Sequence, residues 1–246
     1  MKVGITGQSG FIGTHLAVAV DKATDMELVP FEDAFFAEEE KLRSFVRQCD
    51  AIMHLAAMSR ASSEDELYKT NMGLVAKLVS AMEAERVAPH VLFSSSTHET
   101  RDTAYGRAKK DGREMLSQWA KKSGGVFTGF IFPNVYGPGA RVFYASFIAN
   151  FAWQLNHGEE PKLLVDAPIK LIYVKRLVKL ILSRVREVGD LPRADPGCNV
   201  RIDVPWDFEA KVSDILSLFR SFKENGPGDM SDDNRRCLYE TFVSYR

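Results

Sequence analysis

The chain opens with Lys2-Val-Gly-Ile-Thr6-Gly7-Gln-Ser9-Gly10-Phe11-Ile12-Gly13, a strand-like run that meets three spaced glycines and continues as a helical run through Val20. Each glycine has its own task. Gly7 permits the tight turn, Gly10 lets the backbone approach a pyrophosphate, and Gly13 lets the helix pack against a sheet. A glycine trio also suits a bare strand-to-helix turn. Its place in a strand-turn-helix unit at the start of the chain points to dinucleotide binding, with Ser9, Phe11 and Ile12 completing the loop.

Further along, Glu27–Phe31 reads as a second strand, and Glu32 or Asp33 falls where a carboxylate would accept hydrogen bonds from an adenosine ribose. A carboxylate there repels a 2′-phosphate and favours NAD(H). The same residue also reads as a solvated turn before a charged helix, Ala37–Gln48, so NADP(H) and NAD(H) both stay open. Ala51–Leu55 is a buried third strand, and Leu55-Ala56-Ala57 supplies small residues against which a cofactor can lie. His54 inside this run reads as a core histidine rather than a catalytic base. Apolar residues at Leu67, Leu74, Val75, Leu78, Val79 and Met82 have helical spacing, with Asn71 near the start as a helix-end or core hydrogen-bonding residue. His90–Phe93 is a fourth strand running into Ser94-Ser95-Ser96-Thr97-His98. Serines there form either a simple turn or, at the ligand edge of a doubly wound sheet, a hydroxyl for a substrate carbonyl.

Tyr105 and Lys109, in Thr103-Ala-Tyr105-Gly-Arg-Ala-Lys109, stand four apart and share one face of a helix. Moving a phenol from a pKa of about 10 to about 7 takes roughly 4 kcal/mol of preference for the phenolate. One ammonium at about 4 Å, with an effective dielectric of about 20, supplies about that much. Gly124-Gly125 ends the helix, Val126–Phe132 is a fifth strand, and Pro133-Asn134-Val-Tyr136-Gly137-Pro-Gly139 is a loop at the same edge. The alternation specifies an α/β, Rossmann-type doubly wound parallel sheet over residues 1–138. A smaller C-terminal substrate-binding lobe over 139–246 follows, part of which can return to the sheet. Its expected elements are a helix at Phe143–Leu155, a strand at Lys162–Val165, a strand leading into a helix at Lys170–Arg186, a strand at Asn199–Asp203, and helices at Asp207–Phe222 and Ser231–Tyr245. Arg141, Lys170, Lys175 and Arg176 offer positive charge for a diphosphate, or simply a solvated surface.

Composition limits the function classes. The 246 residues are 45% hydrophobic and 26% charged, enough for a sizeable core. A net charge of −1 argues against a nucleic-acid partner or a polybasic membrane surface. The three separated cysteines suit a reducing, cytoplasmic setting rather than a disulfide framework. No signal peptide is expected at the N-terminus. Leu171–Leu182 is interrupted by lysine and arginine and is too short for membrane insertion. The histidines show no metal-ligand spacing, so no metal is expected.

Together, Gly7–Gly13, His54-Leu-Ala-Ala57, Thr70-Asn71, Ser94-Ser-Ser96, Tyr105 with Lys109 and Pro133-Asn-Val-Tyr-Gly137 resemble an extended short-chain dehydrogenase/reductase of the NAD-dependent epimerase/dehydratase family. Within it the chain is similar to the reductase domain of the capsule and O-antigen enzymes CapF, WbjC and FnlB, a likeness that includes the terminal Leu238-Tyr-Glu-Thr-Phe-Val-Ser-Tyr245. The resemblance implies NAD(P)H-dependent reduction of the 4-keto group of a UDP-linked 6-deoxy-HexNAc sugar. It implies that Ser96 polarises the carbonyl, Tyr105 donates the proton and Lys109 holds the nicotinamide ribose. Asn71 and Pro133 would support the cofactor site, while Thr97, His98, Asn134, Arg141 and Lys170 would line the UDP-sugar substrate. It also implies a homodimer. Such enzymes carry a zinc-binding cupin domain after the reductase part. Without it, the resemblance leaves open a stand-alone reductase acting on an already epimerised sugar, or a piece of a longer chain. A nucleotide-sugar 4-epimerase with tightly bound NAD uses the same residues, and a non-catalytic dinucleotide-binding protein is the remaining alternative. A 4,6-dehydratase is disfavoured because Thr97 and His98 stand where that group has Asp-Glu.

Overall fold

The computed structural model describes residues 1–189 and 198–246. In chain order the elements are β1 (Lys2–Thr6), α1 (Phe11–Asp21), β2 (Glu27–Val29), α2 (Glu39–Gln48), β3 (Ala51–His54), α3 (Glu64–Glu85), β4 (His90–Ser96), α4 (Ala104–Ser123), β5 (Phe127–Phe132), β6 (Asn134–Tyr136), α5 (Phe147–Asn156), β7 (Pro168–Tyr173), α6 (Val174–Gly189), β8 (Asn199–Asp203), β9 (Phe208–Lys211), α7 (Val212–Asn225) and α8 (Asp233–Val243). Short 3-10 turns occupy Asp33–Ala37 and Thr97–Thr100. The chain divides into two compact units, Met1–Phe132 with Val178–Val204, and Pro133–Leu177 with Pro205–Arg246.

The first unit is a six-stranded sheet in the order β2-β1-β3-β4-β5-β8, with every neighbouring pair parallel. It is the doubly wound Rossmann-type arrangement. Val3 and Ile5 are buried and anchor β1 at the centre. From β1 the chain steps one way to β2 and the other way through β3, so the order reverses between β1 and β3. In such sheets the carboxyl ends at that reversal form the ligand crevice, and here they are Thr6 and His54, which pair in register. A core of Phe45, Val46, Val75, Leu78, Met82, Phe93, Leu116 and Trp119 joins α2, α3 and α4 to one face of the sheet. Each fully buried side chain of this size contributes about 1.5–3 kcal/mol relative to exposure.

Caps set the helix boundaries. Ser63 Oγ accepts the Glu66 amide at the start of α3. The α4 helix starts at Thr103, whose Oγ1 accepts the Gly106 amide at 3.1 Å, and ends where Gly124 turns left-handed at φ 71°. β2 stops at Val29, two residues short of the expected Phe31, because Pro30 has no amide to extend the ladder.

The second unit holds the three-stranded sheet β6-β7-β9, with β6 parallel and β9 antiparallel to β7. Helices α5, α7 and α8 pack together, and the Phe219, Phe222 and Phe242 rings meet in their core. Several sequence expectations change here. No strand forms over 162–165. Leu164 is 90% exposed, and the β-branched run that pairs is Pro168–Tyr173. Asn134–Tyr136, expected as loop, pairs with Leu171–Tyr173. The helix expected from Asp207 begins at Val212, because Phe208–Lys211 first pairs with β7. The helix expected from Phe143 begins at Phe147, since Phe143 is left-handed at φ 56° and Ser146 Oγ caps the Ala149 amide. Strand β8, at Asn199–Asp203, joins the six-stranded sheet beside β5.

Candidate active site

The site is built at the carboxyl edge of the first unit's sheet. Because Thr103 caps α4, Tyr105 lies in its first turn and Lys109 one turn further on the same face. Lys109 is only 4% exposed. Its Nζ donates to the Ser94 carbonyl at 2.7 Å and lies 5.7 Å from the Tyr105 ring centroid and 5.1 Å from that of Phe93. Burial pulls the lysine pKa down from 10.5 to about 8. The ammonium still predominates at pH 7, and in this dry setting its field acts on Tyr105 with little screening.

The three serines divide the work. Ser94 Oγ donates to the His54 carbonyl and Ser95 Oγ donates to the Glu99 carboxylate at 2.6 Å. Among the described residues, half-buried Ser96 uses its Oγ as an acceptor for the His98 amide at 3.2 Å, which leaves its hydrogen to donate. Ser96 is therefore the serine equipped to meet a carbonyl oxygen. Thr97 and His98 sit in the 3-10 turn that follows, and the His98 ring stands edge-on to Tyr105 at 6.3 Å. Burial, helped by the charge of Arg101, lowers the His98 pKa.

The residues proposed for a dinucleotide fit one. Gly7 has φ 72°, and a Cβ there would lie 2.8 Å from the Ala56 amide nitrogen. A Cβ on Gly13 would lie 2.1 Å from the Gly7 carbonyl oxygen. Gly10 is the N-cap of α1, where no side chain takes the first-turn amides of Phe11, Ile12 and Gly13. Those amides and the positive end of the helix suit a pyrophosphate. Glu32 is exposed at the head of its 3-10 turn, and its neighbour Asp33 is the carboxylate tied to the glycine loop, accepting from Ser9 Oγ at 3.2 Å. Leu55, Ala56 and Ala57 follow β3 directly. Asn71 is buried and clamps the next turn, its Oδ1 accepting the Met58 amide at 2.7 Å and its Nδ2 donating to the Met58 carbonyl at 2.9 Å.

His54 is 1% exposed, with Nδ1 on Thr6 Oγ1 at 2.6 Å. Burial and the nearby Lys109 charge lower its pKa to about 3, so it stays neutral and suits the core role. Pro133, Asn134, Arg141 and Lys170 belong to the second unit. Asn134 opens β6, Arg141 lies over the Tyr144 ring at 5.4 Å, and Lys170 lies over exposed Trp206 at 3.8 Å. Lys175 and Arg176 are engaged within that unit, Lys175 by Glu240 and Arg176 by Asp207, Asp233 and Asn234. Three features escape sequence reading: the Lys109–Ser94 anchor, the Ser9–Asp33 bond and a Glu99–Arg113 ion pair. Each joins separate elements, so no spacing announces it. Among the described residues, no group of three or more His, Cys, Asp or Glu could hold a metal ion.

A glycine-loop Rossmann-type sheet with a buried lysine one helical turn from a tyrosine, and a serine at a strand end, is an arrangement suited to a dinucleotide-binding protein. Residues 3–192 match the model of the NAD dependent epimerase/dehydratase family, and the chain belongs to that family. It is 26% identical over 257 aligned residues to UDP-2-acetamido-2,6-beta-L-arabino-hexul-4-ose reductase of Pseudomonas aeruginosa, the alignment covering all of this chain and 65% of that protein. The capsular polysaccharide assembling protein CapF from Staphylococcus aureus is likewise 26% identical, with a TM-score of 0.77, and all of this chain matches 65% of that one. The chain thus spans about two-thirds of the length of both relatives. A UDP-glucose 4-epimerase from Thermotoga maritima, 18% identical with a TM-score of 0.82 over all of this chain and 99% of that one, shares the fold. Among the described residues no helix is long and apolar enough to cross a membrane.

Proposed function

We propose that the chain is an NAD(P)H-dependent reductase of the 4-keto group of a nucleotide-linked 6-deoxy-HexNAc, acting in capsule or O-antigen sugar synthesis. The observation that carries this reading is the array of Ser96, Tyr105 and buried Lys109, whose Nζ is anchored on the Ser94 carbonyl. The likeness to a hexulose reductase and to CapF supports the keto-sugar as substrate.

The Gly7–Gly13 loop would hold the pyrophosphate of a reduced nicotinamide dinucleotide, which would supply hydride to the carbonyl carbon. Ser96 donates a hydrogen bond to the carbonyl oxygen and stabilises its growing charge. Tyr105 delivers a proton to that oxygen. Lys109 stabilises the resulting phenolate and would hold the nicotinamide ribose, while the Ser94 carbonyl keeps its ammonium in place. Asn71 pins Met58 and so fixes the turn after β3, which would support the cofactor. Asn134, Arg141 and Lys170 are assigned to the substrate diphosphate and sugar. A cytoplasmic homodimer completes the reading, and sedimentation of the purified protein tests the assembly.

The test mixes the protein with a UDP-4-keto-6-deoxy-HexNAc and NADPH or NADH, following nicotinamide absorbance and the sugar product together. Loss of reduced cofactor equal to the hydroxy-sugar formed supports the reductase. Conversion of an intact UDP-sugar to its 4-epimer, with no net cofactor change, replaces it with the epimerase. Cofactor binding with neither conversion leaves a non-catalytic protein.

A further inference from the structure

A single buried carboxylate ties together the pieces that carry Ser96 and Tyr105. Glu99, in the 3-10 turn after β4, has a side chain only 5% exposed. Its Oε2 accepts from Ser95 Oγ at 2.6 Å and from Arg113 Nε at 3.1 Å. Its Oε1 accepts from Arg113 Nη2 at 3.2 Å, with Arg201 Nη1 at 3.7 Å. Ser95 immediately precedes Ser96, and Arg113 follows Tyr105 and Lys109 at further four-residue steps on the same face of α4. The carboxylate thus bridges β4, the turn, α4 and β8.

The surroundings are shaped for this bridge. A Cβ on Gly129 in β5 would lie 2.8 Å from Arg113 Cδ, so a glycine is what leaves the slot for the arginine stem. At the other end, a Cβ on Gly106 would lie 2.4 Å from the His98 carbonyl oxygen, so the turn and the first turn of α4 meet backbone to backbone right beside Tyr105. Such contact has no side chain to set its spacing, whereas a two-pronged guanidinium–carboxylate pair fixes distance and orientation together. Stability alone does not account for the pair, since buried ion pairs are commonly no more stabilising than apolar residues of similar volume.

We infer that Glu99 and Arg113 are positioning residues that set the spacing between the Ser96 hydroxyl and the Tyr105 phenol. This rests on the reductase reading above, in which both groups act on one oxygen. The misalignment caused by losing the pair slows proton delivery while leaving the glycine loop, and hence cofactor binding, intact.

The experiment compares wild type with Arg113→Lys, Arg113→Met and the double variant Glu99→Gln/Arg113→Met, in which no partner of the pair is left charged. Turnover is expected to fall about 10-fold to 100-fold in all three, as misplacement of order 1 Å does, with cofactor Kd unchanged. Arg113→Lys keeps the charge and loses the fork, so its failure to rescue separates positioning from charge balance. An independent readout is the NMR shift of the His98 ring, which reports its edge contact with Tyr105 and is assigned with His98→Gln and Tyr105→Leu. It should move in all three variants. If wild type reduces no keto-sugar, the functional reading falls and the His98 shift alone judges the spacing claim. If the double variant does not fold, Gly129→Ala, which displaces the Arg113 stem without removing a charge, takes its place. Wild-type turnover in the double variant, full rescue by Arg113→Lys, or an unmoved His98 signal overturns the inference.

Discussion

Replacing Lys109 with methionine should make the protein more stable and nearly inactive, and the stability gain should vanish with rising pH. In the unfolded chain the lysine ionises at its ordinary 10.5, whereas in the folded protein burial lowers this to about 8. A lowered lysine pKa means that the folded state binds the proton less well, so folding is penalised wherever the lysine is charged. The penalty is complete below the folded value and fades as pH rises through the window from about 8 to 10.5. At 1.36 kcal/mol per pKa unit, the shift is worth roughly 3 kcal/mol at pH 7 and about 1 kcal/mol at pH 9.5. Methionine fills similar space without charge, but the bond to the Ser94 carbonyl is lost, at about 1 kcal/mol. The expected net gain is thus about 2 kcal/mol at pH 7 and near zero at pH 9.5. For a chain of this size that corresponds to a Tm about 4–8 °C higher at pH 7. Thermal unfolding of both proteins at the two pH values, with reductase assays alongside, measures it. A Lys109→Met protein less stable than wild type at pH 7, or a difference that does not change with pH, refutes the argument that Lys109 is held charged at an energetic cost.

Other perturbations follow from the same geometry. Tyr105→Phe should retain cofactor binding by fluorescence titration while kcat falls about 10²-fold to 10⁴-fold, the range for losing a general acid. Ser96→Ala should reduce kcat by about 10²-fold to 10³-fold, as removal of an oxyanion donor does, whereas Ser94→Ala keeps the carbonyl that holds Lys109 and loses only the hydroxyl's longer 3.4 Å contact, so it should lower kcat far less. Asp33→Asn, at the carboxylate bonded to Ser9, should improve NADPH relative to NADH in kcat/KM, since the charge that repels a 2′-phosphate is gone. His90 is buried against Thr128, and burial, with Arg184, lowers its pKa from 6.5 to about 3. It therefore costs stability as pH falls from about 6.5 towards 3, where the unfolded chain takes up a proton that the folded one refuses. His90→Leu should flatten that part of the acid-unfolding curve.

The first unit was legible because its signals are local. The glycine spacing of Gly7–Gly13, the β-branched and apolar runs, and Tyr105 four residues before Lys109 each act within one strand, turn or helix, where chain geometry alone sets what faces what. The second unit was less so. The apolar Leu163–Val165 run carries strand propensity but has no strand partner among the described residues, while Asn134–Tyr136 and Phe208–Lys211 become strands because β7 offers them an edge on each side. Strand pairing is a contract between distant segments, and propensity states only one side of it. The same division runs through the candidate site. By itself the sequence determined the sheet, the glycine loop and the pairing of Tyr105 with Lys109, since each follows from residue type and short-range periodicity, while the choice of Ser96 among the three serines came from the family resemblance. Only the tertiary structure decided that Lys109 is buried on the Ser94 carbonyl, that Asp33 is the carboxylate bonded to the glycine loop, and that a buried Glu99–Arg113 pair joins the turn after β4 to α4. Those are contacts between elements far apart in the chain, and their burial and charge coupling exist only once the sheet has brought them together.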